Sequence, residues 1–158
     1  MNWGSWLLGG FGGTLVLTSI LAGSQGLGMT RINIPYLLGT MFTPSRDRAK
    51  LMGLGLHFIN GWILSLLYVA VFHTWGAASL WLGTLDGFVD ASFVLTVGMP
   101  AVPTFHPRMA SEQYGPTVVR QLEPPGFLCL HYGIRTPISI IFGHIVFGII
   151  LGLLYKVG

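Results

Sequence analysis

The chain has 158 residues, of which 52% are hydrophobic and only 8% charged, with a formal net charge of +3. A soluble domain carries about 25% charged residues, so this composition excludes one and calls for a lipid bilayer as the first partner. So few cations cannot form a broad basic face, which excludes a nucleic-acid partner, and the single cysteine, Cys129, excludes a one-chain dithiol–disulfide oxidoreductase.

Four runs approach the roughly 20 apolar residues that cross a bilayer. The first, residues 3–23, is glycine-rich. It has neither a basic lead nor a small-x-small cleavage site, which predicts a retained span rather than a signal peptide. Residues 24–50 follow as a polar connection holding Arg31, Arg46, Arg48 and Lys50. Thr43-Pro44 predicts an N-cap with proline at the first helical position, so the second helix begins as a polar surface turn before it spans 51–72. A very short turn at His73–Gly76 leads into the third span, 77–99, which makes the second and third spans an antiparallel hairpin and ends at Pro100. Residues 100–136 hold six prolines and read as mostly irregular, with a short interfacial piece over 108–123. Thr136-Pro137 starts the fourth span, 137–157.

Continuous apolar runs of this length are helices, not barrel strands. The predicted fold class is all-α, one integral-membrane four-helix bundle over 1–158. Basic residues before the second and fourth spans (Arg31, Arg46, Arg48, Lys50, Arg108, Arg120, Arg135) face only Lys156 on the other side. The positive-inside rule therefore puts the 24–50 and 100–136 loops in the cytoplasm and both termini outside. Trp3, Trp6, Trp75, Trp81, Tyr132 and Tyr155 read as interfacial aromatics, and His73, His106 and His131 as solvated or interfacial residues at loops or span ends.

Two spans carry the same polar pattern. His57, Gly61 and Tyr68 recur as His144, Gly148 and Tyr155, with a gapless match between residues 52–69 and 139–156. At about 100° per residue, a His, the Gly four later and the Tyr eleven later share one helix face. The spans before them match more weakly, through Trp6, Leu7 and Gly12 against Trp81, Leu82 and Gly87. The pattern predicts a parallel internal duplication of a two-helix unit, with His57 and His144 at one depth and the second and fourth spans meeting near the axis.

Asp86 and Asp90 are the only acids inside a span and lie one turn apart on one face. A carboxylate in hydrocarbon must face the bundle, a partner or water. Asp90 can share the depth of the two histidines, which gives a candidate intramembrane cluster of His57, His144, Asp90 and Asp86. The first account of that cluster is structural hydrogen bonding; a proton or ion path comes next, and a haem or transition-metal site with His57 and His144 as ligands after it. Gly9 with Gly13, Gly83 with Gly87, Gly148 with Gly152, and Gly61 with Ser65 form small-xxx-small pairs that predict close helix packing. No HExxH, nucleophile elbow or phosphate loop occurs, which leaves enzyme activity the least supported class.

The run Leu38-Gly39-Thr40-Met41-Phe42, then Gly53 to His57-Phe58 and on to Tyr68, resembles a group of uncharacterised small prokaryotic membrane proteins. These have four helices, with a glycine-rich helix followed by a GxxxHFxxG…Y helix. The resemblance implies a multi-pass protein of the prokaryotic inner membrane and no particular activity. Three roles follow in order of support. The first is an accessory or structural subunit among other membrane subunits, in respiratory or photosynthetic energy transduction. The second is a small oligomeric transporter or proton-conducting protein, and the third a haem- or metal-binding electron-transfer protein.

Overall fold

The structure is a computed structural model that describes residues 1–111 and 113–157. Its regular structure is all helical, and an isolated bridge between Met109 and Leu122 is the one extended pairing among the described residues. Its helices are α1 (Trp3–Gly26), α2 (Ile34–Thr40), α3 (Arg46–Trp75), α4 (Leu80–Phe93), α5 (Met99–Phe105) and α6 (Thr136–Leu154). A π-turn, Val94–Gly98, joins α4 to α5 without a break, so Leu80–Phe105 is one continuous rod. Four stretches are long and apolar enough to cross a membrane: α1, α3, the α4–α5 rod and α6.

Local chemistry explains the ends. The Asn2 side chain accepts from Ser5 N at 3.0 Å and starts α1; Asn33 accepts from Tyr36 N at 2.9 Å and starts α2, with Pro35 in the first turn. Ser79 caps α4 by accepting from Leu82 N at 3.3 Å. Gly76 closes α3 at φ 67°, a left-handed conformation that glycine adopts without steric cost, and Ala77 N returns to Phe72 O.

Several sequence expectations move. The third span does not stop at Pro100. Proline has no N–H to give and crowds the carbonyl four residues back, but the π-turn immediately before it resets the ladder. Pro100 thereby falls in the first turn of α5, where no donor is needed. The second helix begins at Arg46 behind Ser45, two residues after the predicted Thr43-Pro44 start; Thr43 Oγ1 instead accepts from Ser45 N at 3.3 Å. The 24–50 connection contains α2, and the 108–123 piece is not a helix but turns closed by Ala110 N to Leu122 O and Leu122 N to Arg108 O.

Packing is uneven. α6 lies most extensively against α4 and then α1, α1 also packs on α3, and α2 lies along the start of α3. Small residues set these contacts. Gly83 and Gly87 press on the backbone of Gly148 and His144, and Gly152 presses on Ser79. On α1, Gly9 meets Leu151 and Gly13 meets Phe147, both on α6, while Gly61 of α3 meets Thr14. A Cβ at Gly39 or Gly53 would strike the backbone of Ala49 or Pro35, so α2 seats on α3 through bare backbone. The predicted hairpin of the second and third spans is joined by a tight turn, yet α3 and α4 splay and barely touch. The glycine face of α4 finds its match on α6 and not on α3.

Both chain ends meet at the α3–α4 turn. Asn2 N donates to the Tyr155 hydroxyl at 3.3 Å, Lys156 N donates to Ser5 Oγ, and His73 Nε2 pairs with the Tyr155 hydroxyl at 2.8 Å. All seven basic residues counted before the second and fourth spans belong to the opposite end, with α2, α5 and the connection into α6. There Thr30 and Thr136 share a hydroxyl contact of 2.7 Å, and Arg31 pairs with Glu123 at 3.1 Å. The buried apolar residues gather between α1, α3, α4 and α6, around Leu17, Leu21, Leu95, Ile140, Phe147 and Leu151.

Candidate functional site

Where α3 fails to close on α4 and α6, the chain encloses a cavity of about 210 Å³. Every membrane-crossing stretch contributes to it. α1 supplies Thr14, Leu17 and Leu21; α3 supplies His57, Asn60, Gly61 and Leu64; α4 supplies Asp90; and α6 supplies Ile140, His144 and Phe147. The π-turn adds Val94 and Gly98, and α2 closes the loop-side end with Ile34 and Leu38. The wall is mostly apolar, and neither lysine nor arginine lines it.

Helical spacing explains the α3 contribution. Residues 57, 60, 61 and 64 fall at i, i+3, i+4 and i+7, one stripe of the helix. Three of the four residues in the predicted cluster, His57, His144 and Asp90, come together on this cavity. Asp86 does not line it: it lies one turn earlier in α4, and its Oδ2 is buried without a hydrogen-bond partner. The second and fourth spans do not meet at an axis as predicted; α3 and α6 touch at few points and present their histidines to the space between them. Phe147 and Leu17, both largely buried, line that space.

The polar groups are held differently. His144 Nδ1 donates to the Ile140 carbonyl at 2.9 Å, one turn back on its own helix, which leaves Nε2 of the neutral ring without a proton. His57 is 8% exposed, and its Nε2 has no partner at all. The Tyr68 hydroxyl donates to Asp90 Oδ2 at 2.8 Å, and its ring stands edge-on to Phe147 at 5.4 Å between centroids. The repeat partner of Tyr68 does something else: Tyr155 bonds His73, which stays exposed at the end of α3 as expected, while the Tyr155 side chain is buried. Trp6 is likewise held inside, its Nε1 donating to Ser65 Oγ at 2.8 Å.

Asn60 was not singled out in the sequence. It is exposed on the outer face of α3 and also lines the cavity, as does Leu64. The cavity therefore opens sideways through the gap between α3 and α4. The signal for Asn60 was present: it follows His57 by three residues and precedes Gly61, inside the repeated stretch.

His106 is a second correction. It is 3% exposed, at the end of α5, where Nδ1 accepts from Arg108 N at 3.1 Å and Nε2 donates to Leu37 O at 3.0 Å. Burial holds its pKa below the ordinary histidine value. Cys129 is fully buried, and the same cause pushes its thiol up to about 12. Leu128 and Cys129 both take left-handed backbone, at φ 53° and 58°.

As a cofactor site the cavity is poorly supplied. Among the described residues no group of three His, Cys, Asp or Glu converges as a metal would require. A cavity of about 150 Å³ takes one benzene ring, so about 210 Å³ fits a ring with a small head and not a porphyrin. No protein-family model, curated protein or solved structure matches the chain.

Proposed function

We propose that the chain is a small multi-pass transport protein of a prokaryotic inner membrane, and that Asp90, with His57 and His144 beside it, takes up and releases a proton as the cavity loads and unloads. The observation that carries this is the convergence of ionisable groups from three separate stretches, α3, α4 and α6, on one cavity between them. Intramembrane acids and histidines are costly, and such groups typically mark ion and proton pathways. The basic end with α2 and α5 is the cytoplasmic side, and both termini lie outside. The two-helix unit is duplicated: Gly61 with Ser65, and Gly148 with Gly152, each turn toward the span that precedes them.

Proteoliposomes carrying a pH-sensitive dye and an imposed pH gradient test the reading. The full chain should speed proton equilibration, and Asp90→Asn should cut the rate at least about tenfold. Liposomes as tight to protons as protein-free ones, or an unaffected Asp90→Asn, overturn it.

A second reading, an accessory subunit in a larger membrane complex, draws support from the open α3–α4 side, where exposed Asn60 offers a hydrogen bond inside the membrane. Mild detergent extraction tests it: stoichiometric partners should co-purify, and a monodisperse lone chain ends it.

A further inference from the structure

The geometry points to an organic monocation, a single apolar ring or chain of similar size with one ammonium head, as the ligand of the His57–Asp90–His144 cavity. This inference rests on the transport reading and names its cargo.

Among the described residues Asp90 is the only acid lining the cavity, and no lysine or arginine shares it. The Tyr68 hydroxyl gives Asp90 one hydrogen bond but no neutralising charge. A carboxylate in apolar surroundings is stable only when it carries a proton or faces a cation. The chain supplies no fixed cation at this site, so a proton and an external cation are alternative occupants. The other titratable groups that face Asp90 are His57, His144 and Tyr68, with Asp86 one turn along α4. None of them offers a permanent positive charge.

Shape and lining narrow the class. Leu17, Leu21, Leu64 and Ile140 give an apolar wall that a hydrated metal ion or a polar metabolite would not desolvate against. The ring of Phe147 lines the same space, and aromatic faces attract ammonium groups. His57 lines the cavity, its Nε2 is buried and unpartnered, and the lone pair of a neutral imidazole nitrogen attracts a cationic head with or without an N–H. The opening beside Asn60 and Leu64 gives on to the lipid side of the protein, which is the phase an amphiphilic cation occupies.

The exchange balances. Where the empty cavity keeps a proton on the Asp90 carboxyl, entry of the cation breaks that O–H bond, the proton leaves to water, and the carboxylate pairs with the ammonium. Net charge in the cavity is unchanged, so neither state strands an uncompensated charge.

Benzyltrimethylammonium is a suitable probe because its charge is fixed, and neopentylbenzene is its neutral carbon isostere. With the full chain in nanodiscs, thermal unfolding and calorimetric titration read binding, and a pH dye in weak buffer reads proton release. The charged probe should bind, release close to one proton per cation, and tighten by up to about tenfold per pH unit on the side where Asp90 is protonated. Asp90→Asn should remove proton release and the preference for charge. Should that variant fold poorly, Leu64→Trp, at an exposed position on the opening, should block the probe while leaving Asp90 in place. Equal binding of neopentylbenzene, binding without proton release, or no binding of the cation overturns the inference. Proton flux that depends on Asp90 alongside any of those results leaves the transport reading standing and ends this one.

Discussion

The Tyr68 hydroxyl donates to Asp90 Oδ2 at 2.8 Å, across the one side of the protein where α3 and α4 do not pack. This bond links two helices that otherwise stand apart, and it fixes one carboxylate oxygen at the wall of the cavity. Tyr68→Phe removes only the donor. The variant should lose about 1 kcal/mol of stability, the scale of a hydrogen bond between membrane helices. Thermal unfolding in detergent micelles measures it. An unchanged midpoint would mean that the Tyr68–Asp90 bond contributes nothing.

Helix packing gives a matched pair of substitutions. A Cβ at Gly87 would collide with the His144 carbonyl, whereas nothing lies near a Cβ at Gly23. Gly87→Ala should cost about 1–3 kcal/mol by overpacking. Gly23→Ala, in the interior of α1, should be neutral or gain up to about 1 kcal/mol from helix propensity. Comparing the two unfolding midpoints separates close approach from propensity, and equal midpoints would contradict the α4–α6 contact.

Acid should loosen the loop end of the protein through His106. Its folded pKa lies below the ordinary value, so the unfolded chain binds the proton more readily. The stability that neutral His106 contributes is therefore complete above the ordinary histidine pKa of about 6.5. It is lost as pH falls through that value toward the lower folded one. Unfolding followed from about pH 7.5 to about pH 5 should show this loss, and His106→Gln should flatten the slope.

Cys129 should be inert in the folded protein. Full burial and a thiol pushed up to about 12 leave little thiolate near neutral pH. Alkylation by a maleimide should run at least about a hundredfold slower than for a free thiol, and reach the ordinary rate on unfolding. Rapid labelling under native conditions would mean that the Phe127–Tyr132 turn opens readily.

The apolar runs were legible because lipid imposes a length and a composition that few other environments demand, and all four appear as helices. The approach of His57, His144 and Asp90 was legible from depth alone. The separation of α3 from α6 was not, since it depends on which glycine face pairs with which, and Gly83 and Gly87 could have served either neighbour. Pro100 misled because a proline is a stop signal only when the helix before it is regular, and the π-turn leaves no mark in the residue types of 94–98. His106 looked solvated because its burial is made by α2, whose Leu37 lies 69 residues away in sequence and whose seating depends on the bare backbones at Gly39 and Gly53.

The wide turn at Val94–Gly98 acts as a phase shifter. It holds one residue more than an ordinary helical turn, so everything after it is rotated by about 100° relative to a regular continuation. With that offset Val94 and, five residues on, Met99 both line the cavity below Asp90, while Leu95 is buried in the core. Removing a single residue from those five would restore an even winding and swing α5, with Pro100 and Pro103, away from its present bearing. The length of this short stretch, more than the identity of any side chain in it, sets how the two halves of the rod are aimed.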